Sequence, residues 1–164
     1  MVRKTSFACL ALATIFSVWA TPTQAQEDRE AILAKVQQFF DALADSDTTA
    51  GREAVLLDGQ YFRLREEGDS LALSRTPHTE FLRSLAAGGN DFLERMWEPM
   101  VLQHGRMAVV WTPYDFHRAG EFSHCGVDVF NLIRTDAGWR IAGIMYTVEP
   151  TGCAPSPLGP PRGG

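Results

Sequence analysis

The second half of the chain constrains the fold most strongly. Four segments rich in aromatic and β-branched residues follow one another there, separated only by compact turns. Such segments between turn signals are typical of β-strands. Parallel neighbours need a long crossover, so these short connections predict antiparallel pairing and a strongly curved sheet. The four segments span about 91–103, 106–116, 121–134 and 139–149.

The first half has a helical pattern instead. Residues 27–46 place apolar side chains at helical spacing on one side, with acidic Glu27 in the first turn. A short second helix is expected to extend to about Leu56. A third should open with Thr76 as cap and Pro77 at its first position. Two short strands, at 61–65 and 71–73, are expected between the second and third helices.

Helices followed by an antiparallel meander indicate the α+β class. We expect the helices to lie in the concave side of the curved sheet, forming a cone with a pocket. The predicted divisions are a signal peptide at 1–25, one domain at 26–149 and a disordered Pro/Gly-rich tail at 150–164.

The N-terminal segment has the three parts of a secretory signal. Basic Arg3 and Lys4 precede an uncharged apolar run at 7–20, and small residues follow at 23–25. The alternative is a membrane anchor, but Pro22 interrupts the run before the roughly 20 apolar residues that a spanning helix needs. We therefore expect cleavage between Ala25 and Gln26 and a periplasmic or secreted protein.

The charge distribution limits the partners. The predicted signal contains two basic residues and no acidic residue, so its removal would change the net charge from −5 to −7. The remaining cations are scattered, which argues against a nucleic-acid surface. No second apolar run is long enough to span a membrane, so no membrane association is expected after cleavage.

Cleavage would also remove Cys9 and leave Cys125 and Cys153. In an oxidising compartment an even pair favours a disulfide, with two separate thiols or a reactive cysteine as alternatives. Neither has the spacing of a metal site, so we expect no metal and no cofactor.

Several local motifs together resemble a known superfamily. The order of the predicted elements, closing on Gly-Trp-Arg-Ile at 138–141, is similar to the nuclear transport factor 2-like superfamily, which includes polyketide cyclase-like and ketosteroid isomerase-like proteins. The runs at 111–116 and 123–128, with Tyr146-Thr147, more narrowly resemble an exported branch of lumazine-binding-like or uncharacterised proteins. The resemblance implies a conical domain, a pocket and frequent dimerisation through the sheet. It assigns no catalytic residue.

Candidate catalytic residues come from the predicted strands. Counting from a three-residue turn at 118–120 places His124 opposite Tyr114 and beside Asp115, while the last hairpin places it opposite Glu149. A carboxylate beside an imidazole raises its basicity, as a general base requires. The alternative is a structural histidine that ties three strands together.

A second candidate is Asp128, which lies among Val127, Val129 and Phe130. A carboxyl group buried there would be a proton acceptor; alternatively it is solvated or paired with arginine. Aromatic side chains could line the pocket, fill the core or form a dimer surface: Trp97, Trp111, Tyr114 and Tyr146. We expect His78, at the start of the third helix, and His117, in a turn, to face solvent.

These observations leave three functional hypotheses. The first is an exported protein that binds a small apolar or aromatic ligand. The second is an isomerase, dehydratase or cyclase that uses His124 or Asp128 for proton transfer. The third is an interaction protein with a filled cone. Both faces of the last two strands carry apolar residues, so a homodimer through the sheet is expected.

Overall fold

The computed structural model describes residues 23–68, 70–89 and 91–161. Most of the predicted signal therefore lies outside the described residues. The first helix, α1 (Gln24–Asp45), is capped by Thr23, whose hydroxyl oxygen accepts a hydrogen bond from the Gln26 N–H. Ser46, in the left-handed conformation, ends it. No helix in this described part of the chain is long and apolar enough to cross a membrane.

The other helices are shorter. In α2 (Thr48–Ala54), the Asp47 carboxylate caps the first turn by accepting from two backbone N–H groups. Strand structure begins directly afterwards, so the prediction that this helix reaches Leu56 was wrong. In α3 (His78–Ala87), Pro77 occupies the capping position and no side chain caps the helix, so the predicted Thr76 cap was wrong as well.

The strands form one curved, open sheet in the order β2-β1-β7-β6-β5-β3, with β4 also paired to β5. The predicted α+β class is confirmed, and the hairpins β5–β6 and β6–β7 are antiparallel. The sheet is mixed, however, because β1 runs parallel to β7. The strands are β1 (Val55–Glu67), β2 (Ser70–Pro77), β3 (Phe92–Met96), β4 (Met100–His104), β5 (Met107–Arg118), β6 (Glu121–Thr135) and β7 (Gly138–Val148).

The segment expected as one strand at 91–103 is divided into β3 and β4. Glu98 has a positive φ of 48°, and Pro99 has no N–H for a sheet hydrogen bond. The two short strands therefore pair with different halves of β5. The Thr112 hydroxyl of β5 donates to the Trp97 carbonyl and holds the break in place.

The core lies between the helices and the concave face of the sheet. Phe39 and Phe40 of α1 both contact Phe130 of β6 edge to face, at ring-centroid distances of 6.0 and 5.7 Å. Phe81 of α3 packs on Phe39 at 4.9 Å. Truncating a phenylalanine in such a cluster typically costs about 3–5 kcal/mol, so these rings fix the helices on the sheet.

His78 belongs to this core, and the expectation that it faces solvent was wrong. It is 0% exposed, and its Nδ1–H donates to the Leu56 carbonyl at 2.7 Å. A Cβ at Gly59 would collide with the imidazole. The ring therefore joins α3 to the start of β1, and burial lowers its pKa.

The convex face of the sheet carries an apolar row. Met100, Trp111, Val129 and Met145 are directly paired across β4, β5, β6 and β7, so their side chains share one face. Met100 is 57% and Trp111 is 38% exposed.

A disulfide joins Cys125 of β6 to Cys153, and their Cα atoms lie 6.0 Å apart. The predicted bridge is therefore present in the structure. Cys125 pairs through both backbone hydrogen bonds with Glu149, the residue that was predicted to lie opposite His124. The segment between 150 and 161 contains no helix or strand, and Ser156 within it hydrogen-bonds the Asp115 carboxylate.

Candidate active site

A cavity of about 650 Å³ lies between the concave face of the sheet and the helices. This volume is within the range of small-molecule sites. Aromatic and aliphatic side chains form much of its wall, and three carboxyl groups, a histidine and three arginines also reach it. The lining comprises Phe39, Leu43, Tyr61, Arg63, Arg65, Thr76, Glu80, Phe81, Ser84, Phe92, Glu94, Tyr114, Phe116, Arg118, Ser123, His124, Asp128, Phe130, Ile144, Tyr146, Val148 and Pro150.

The carboxyl groups of Glu94 and Asp128 form a hydrogen-bonded pair in this wall. Asp128 is 2% exposed, and its Oδ2 has no hydrogen-bond partner among the described residues. Burial raises the pKa of Glu94 to about 8. Burial and the adjacent Glu94 carboxyl raise the pKa of Asp128 well above its ordinary value. Two carboxyl groups in contact cannot both ionise readily, so this pair retains a proton near neutral pH.

Sequence reasoning identified Asp128 but not Glu94. Asp128 lies between two valines, whereas Glu94 is followed directly by Arg95, so the apolar surroundings that indicated Asp128 are weaker around Glu94. The contact between them depends on the pairing of β3 with β5 and of β5 with β6. That pairing brings the edge strand to the same concave surface.

Tyr146 is the direct cross-strand neighbour of Asp128. Its hydroxyl makes no hydrogen bond within the described part of the chain, and burial raises its pKa to about 12. The phenol is therefore protonated and available to donate to a ligand.

Tyr114 has a different role, because its hydroxyl donates to the Thr147 backbone carbonyl at 2.7 Å. The aromatic ring passes over Gly126 to reach that carbonyl. A Cβ at Gly126 would lie 2.9 Å from the ring and collide with the carbonyl oxygen of Thr147. Tyr114 therefore lines the cavity and also joins β5 to β7 through its hydrogen bond.

His124 lines the cavity, but its predicted partners were wrong. Ala119 and Gly120 form a two-residue turn with positive φ values of 50° and 75°, so Arg118 pairs with Glu121. A β-bulge then adds Ser123 on β6, which places His124 opposite Phe116.

The imidazole of His124 stacks on the Phe116 ring at a centroid distance of 4.9 Å, and its Nδ1 lies 3.0 Å from the Ser123 hydroxyl. Neither Asp115 nor Glu149 lies opposite it; both pair with Cys125 instead. Burial, then the charges of Arg118, Arg63 and Arg65, lower the pKa of His124 to about 4. The histidine is therefore neutral at physiological pH and has no carboxylate to raise its basicity.

Three other predicted site residues do not line the cavity. Asp115 is buried in two hydrogen bonds with the Arg95 guanidinium, at 2.9 and 2.6 Å, and His117 lies 3.4 Å away. Burial alone would raise the pKa of Asp115, but the hydrogen bonds from Arg95 and Ser156 and the charges of Arg95 and His117 together outweigh burial and hold the pKa below its ordinary value. His117 is buried in this cluster, contrary to the solvent-facing position expected. Trp97 lies at the β3–β4 break and Trp111 on the convex face.

The sequence predictions also missed the cationic side chains of the wall. Arg63 and Arg65 are two positions apart on β1, and alternation along a strand places both on one face. Arg118 lies at the end of β5, with its guanidinium carbon 5.3 Å from the centroid of Phe92 and 5.6 Å from that of Phe116. The alternation of Arg63 and Arg65 was visible in the sequence, but the face that carries them was not.

No protein-family model matches the sequence, and no curated protein is significantly similar to it. Solved structures do share its fold. A nuclear transport factor 2-like superfamily protein from Salmonella enterica superposes with a TM-score of 0.61 at 11% identity, covering 79% of this chain and 96% of that one. A nuclear transport factor 2-like protein of unknown function from Shewanella baltica gives 0.58 at 17% identity, with coverages of 80% and 100%.

A candidate dehydratase of the same family from Streptomyces avermitilis gives a TM-score of 0.58 at 16% identity, covering 76% of this chain and 98% of that one. These likenesses each extend over about three quarters or more of this chain. The chain therefore has the nuclear transport factor 2-like fold that its sequence predicted.

Proposed function

We propose that this protein binds a small, partly apolar molecule in the cavity and catalyses proton transfer on it. The observation that carries the proposal is the buried Glu94–Asp128 pair in the cavity wall. Burying two adjacent carboxyl groups lowers the stability of the protein, even when they share a proton. Carboxyl groups with pKa values raised in this way are common in the active sites of acid–base catalysts. The name of the Streptomyces avermitilis protein fits this class of reaction.

The reaction that suits these groups is proton abstraction from a carbon next to a carbonyl. When the pair holds one proton, Asp128 donates to Glu94, and the Glu94 carboxylate accepts the proton from the substrate carbon. The C–H bonding electrons form a carbon–carbon double bond, and the carbonyl π electrons move to oxygen. The Tyr146 hydroxyl donates a hydrogen bond to that oxygen. In a substrate with a carbon–carbon double bond next to the deprotonated carbon, Glu94 returns the proton to the far carbon of that bond. The carbonyl re-forms and the double bond is left beside it, which completes an isomerisation.

Two alternatives are weaker on this geometry. A simple binding protein gains nothing from a buried carboxyl pair whose Asp128 Oδ2 lacks a partner among the described residues. A cone filled by its own side chains is at odds with a cavity of about 650 Å³. His124 is a poor general base here, because its pKa of about 4 leaves it weakly basic.

The test uses 2-tetralone, a neutral aromatic ketone with exchangeable protons next to its carbonyl. Exchange for deuterium in D2O is followed by proton NMR. The protein should accelerate exchange above the buffer rate. Glu94→Gln and Asp128→Asn should each reduce the acceleration by about 10²-fold or more. Asp136→Asn, in an exposed turn, is the matched control. No acceleration by the unsubstituted protein, or full acceleration by both variants, would reject proton transfer.

We also propose that the protein is exported and works as a homodimer. Export is supported by the signal-like segment and by the Cys125–Cys153 bridge, which suits an oxidising compartment. Protein isolated from a periplasmic or culture fraction should have the intact mass of a chain that begins at Gln26. The dimer is supported by the exposed row Met100, Trp111, Val129 and Met145. Such a contiguous apolar patch is typical of an interaction surface.

A further inference from the structure

We infer that the ligand of this cavity is an organic anion: a flat apolar body with a carboxylate-type group held at Arg63 and Arg118. The inference deepens the proposed function by naming the class of substrate for the same site. It rests on the placement of Arg63 and Arg118 in the cavity wall, on their lack of acidic partners among the described residues and on the strand that separates Arg63 from Asp128.

The cationic groups converge on one part of the wall. Arg63, Arg65 and Arg118 all act electrostatically on His124, although they come from opposite sides of the sheet order, β1 and β5. The chain as a whole has a net charge of −5, so this concentration of positive charge is not a general property of its surface. A cleft lined by one sign of charge attracts ligands of the opposite sign.

Two of these arginines have no carboxylate partner within the described residues. Arg63 is half-buried and makes no hydrogen bond or ion pair there. Arg118 lies over the Phe92 and Phe116 rings, which leaves the guanidinium N–H groups free to bind an acceptor. In contrast, Arg95 and Arg134 are each paired with an aspartate. The half-buried guanidinium of Arg63 is therefore poised to bind a carboxylate in bidentate geometry, and the exposed Arg118 is a second donor.

The remaining polar groups of this region agree with an anion. His124 is neutral and adds no negative charge, and Ser123 offers a hydroxyl. Glu80 is the opposing group, but its side chain is 52% exposed and therefore well screened by solvent.

The geometry also sets the orientation of the ligand. In the sheet, Arg63 pairs with Tyr146, which in turn pairs with Asp128. The arginine and the buried carboxyl group are therefore separated by one strand. A molecule with an aromatic body can reach both, with its anionic end at Arg63 and its reacting carbon near Glu94 and Asp128. The apolar wall of Phe39, Phe81 and Phe130 would contact the body.

The test compares 2-naphthoate with 2-naphthamide, which have nearly the same shape and differ in charge. Isothermal titration calorimetry at pH 7 should show about 10-fold tighter binding of the carboxylate. Raising the salt concentration should weaken the binding of 2-naphthoate but not that of 2-naphthamide. Arg63→Gln and Arg118→Gln should each abolish most of the preference while leaving 2-naphthamide affinity unchanged, which also shows that the variants are folded. Arg63→Lys should retain part of the preference for 2-naphthoate.

The matched control is Arg52→Gln, which removes the same charge from an exposed position on α2 outside the cavity lining. Equal affinities of the two probes for the unsubstituted protein would overturn the inference. So would a preference that both cavity variants retain, or one that Arg52→Gln removes. These outcomes are separate from the proton-transfer test, because 2-tetralone carries no anionic group and calorimetry requires no turnover.

Discussion

The hydroxyl of Tyr114 on β5 donates to the backbone carbonyl of Thr147 on β7, two strands away, across the intervening β6. The ring can make this crossing only because Gly126 has no side chain. One phenol thus braces three strands immediately beside the cavity.

Two substitutions that disturb the Tyr114–Thr147 hydrogen bond should lower the stability of the protein by different amounts. Tyr114→Phe keeps the packing but leaves the Thr147 carbonyl without its donor, and it should lower the free energy of unfolding by about 1–2 kcal/mol. Gly126→Ala should cost more, because the added Cβ forces the ring off the strand. Urea denaturation measures both. Gly143→Ala is the control, since a Cβ there lies at an ordinary 3.5 Å from its nearest neighbour. Equal stability of the two alanine variants would contradict this account.

The carboxyl pair should make stability fall as pH rises. The folded-state pKa of Glu94 is about 8, against an ordinary 4.5, so the folded protein binds more protons than the unfolded chain between these values. Its stabilisation is complete below about pH 4.5 and is lost as pH rises towards 8. The slope for this group is up to about 1.4 kcal/mol per pH unit.

Chemical denaturation of the protein and of Glu94→Gln at several pH values measures this contribution. The variant should gain stability relative to the unsubstituted protein as pH rises from 5 to 8. Asp136→Asn, which alters an exposed carboxylate, should show a constant difference over the same range. A constant difference for Glu94→Gln as well would mean that Glu94 ionises normally.

The disulfide should account for a large part of the stability. It closes a loop of 28 residues, for which the chain-entropy relation gives about 3–4 kcal/mol. The Cys125→Ser/Cys153→Ser protein should therefore unfold at a temperature roughly 10 °C lower. Reductant should destabilise the unsubstituted protein to the same extent and leave the double variant unaffected. An intact mass that does not rise by 2 Da on reduction would show that the bridge is absent.

The convex apolar row should govern the oligomeric state. Light scattering after size-exclusion chromatography should give twice the chain mass for the unsubstituted protein. Trp111→Asp should give the chain mass alone, because a charge at the centre of the row opposes burial. Leu71→Asp is the control, since Leu71 is also an exposed apolar residue but lies on β2 at the far edge of the sheet. A monomeric unsubstituted protein would reject the dimer.

Local signals in the sequence were sufficient to predict that the helices and the antiparallel hairpins exist, although not all of their ends. Composition and turn residues identified β5, β6 and β7, and the Gly88-Gly89 stop of α3 was visible directly. Register was not visible, because one added residue in a bulge shifts every later pair. The two-residue turn at 119–120 moved the partner of His124 from the predicted Tyr114 to Asp115, and the Ser123 bulge moved it on to Phe116. A second irregularity beyond Asn131 moved the partner of Glu149 from the predicted His124 to Cys125.

The site was predictable only in part for the same reason. Asp128, His124, Tyr114 and Tyr146 were candidates from the sequence and line the cavity, although the sequence did not show which face of each strand is the inner one. The partners of these residues come from elements far away in sequence: Glu94 from an edge strand and Arg63 from β1. Pairing between distant segments has no local signature, so neither the carboxyl pair nor the cationic wall could be derived.

The parallel pairing of β1 with β7 has a consequence for the order in which the protein folds during synthesis. Tyr61 finds its partner Ile144 only after β2 to β6 and the first half of β7 have been synthesised. Until then the β1–β2 hairpin has one unsatisfied edge, and the floor of the cavity does not exist. The sheet and its cavity therefore cannot close before β7 has been made. The last strand to be made is the one that completes the sheet.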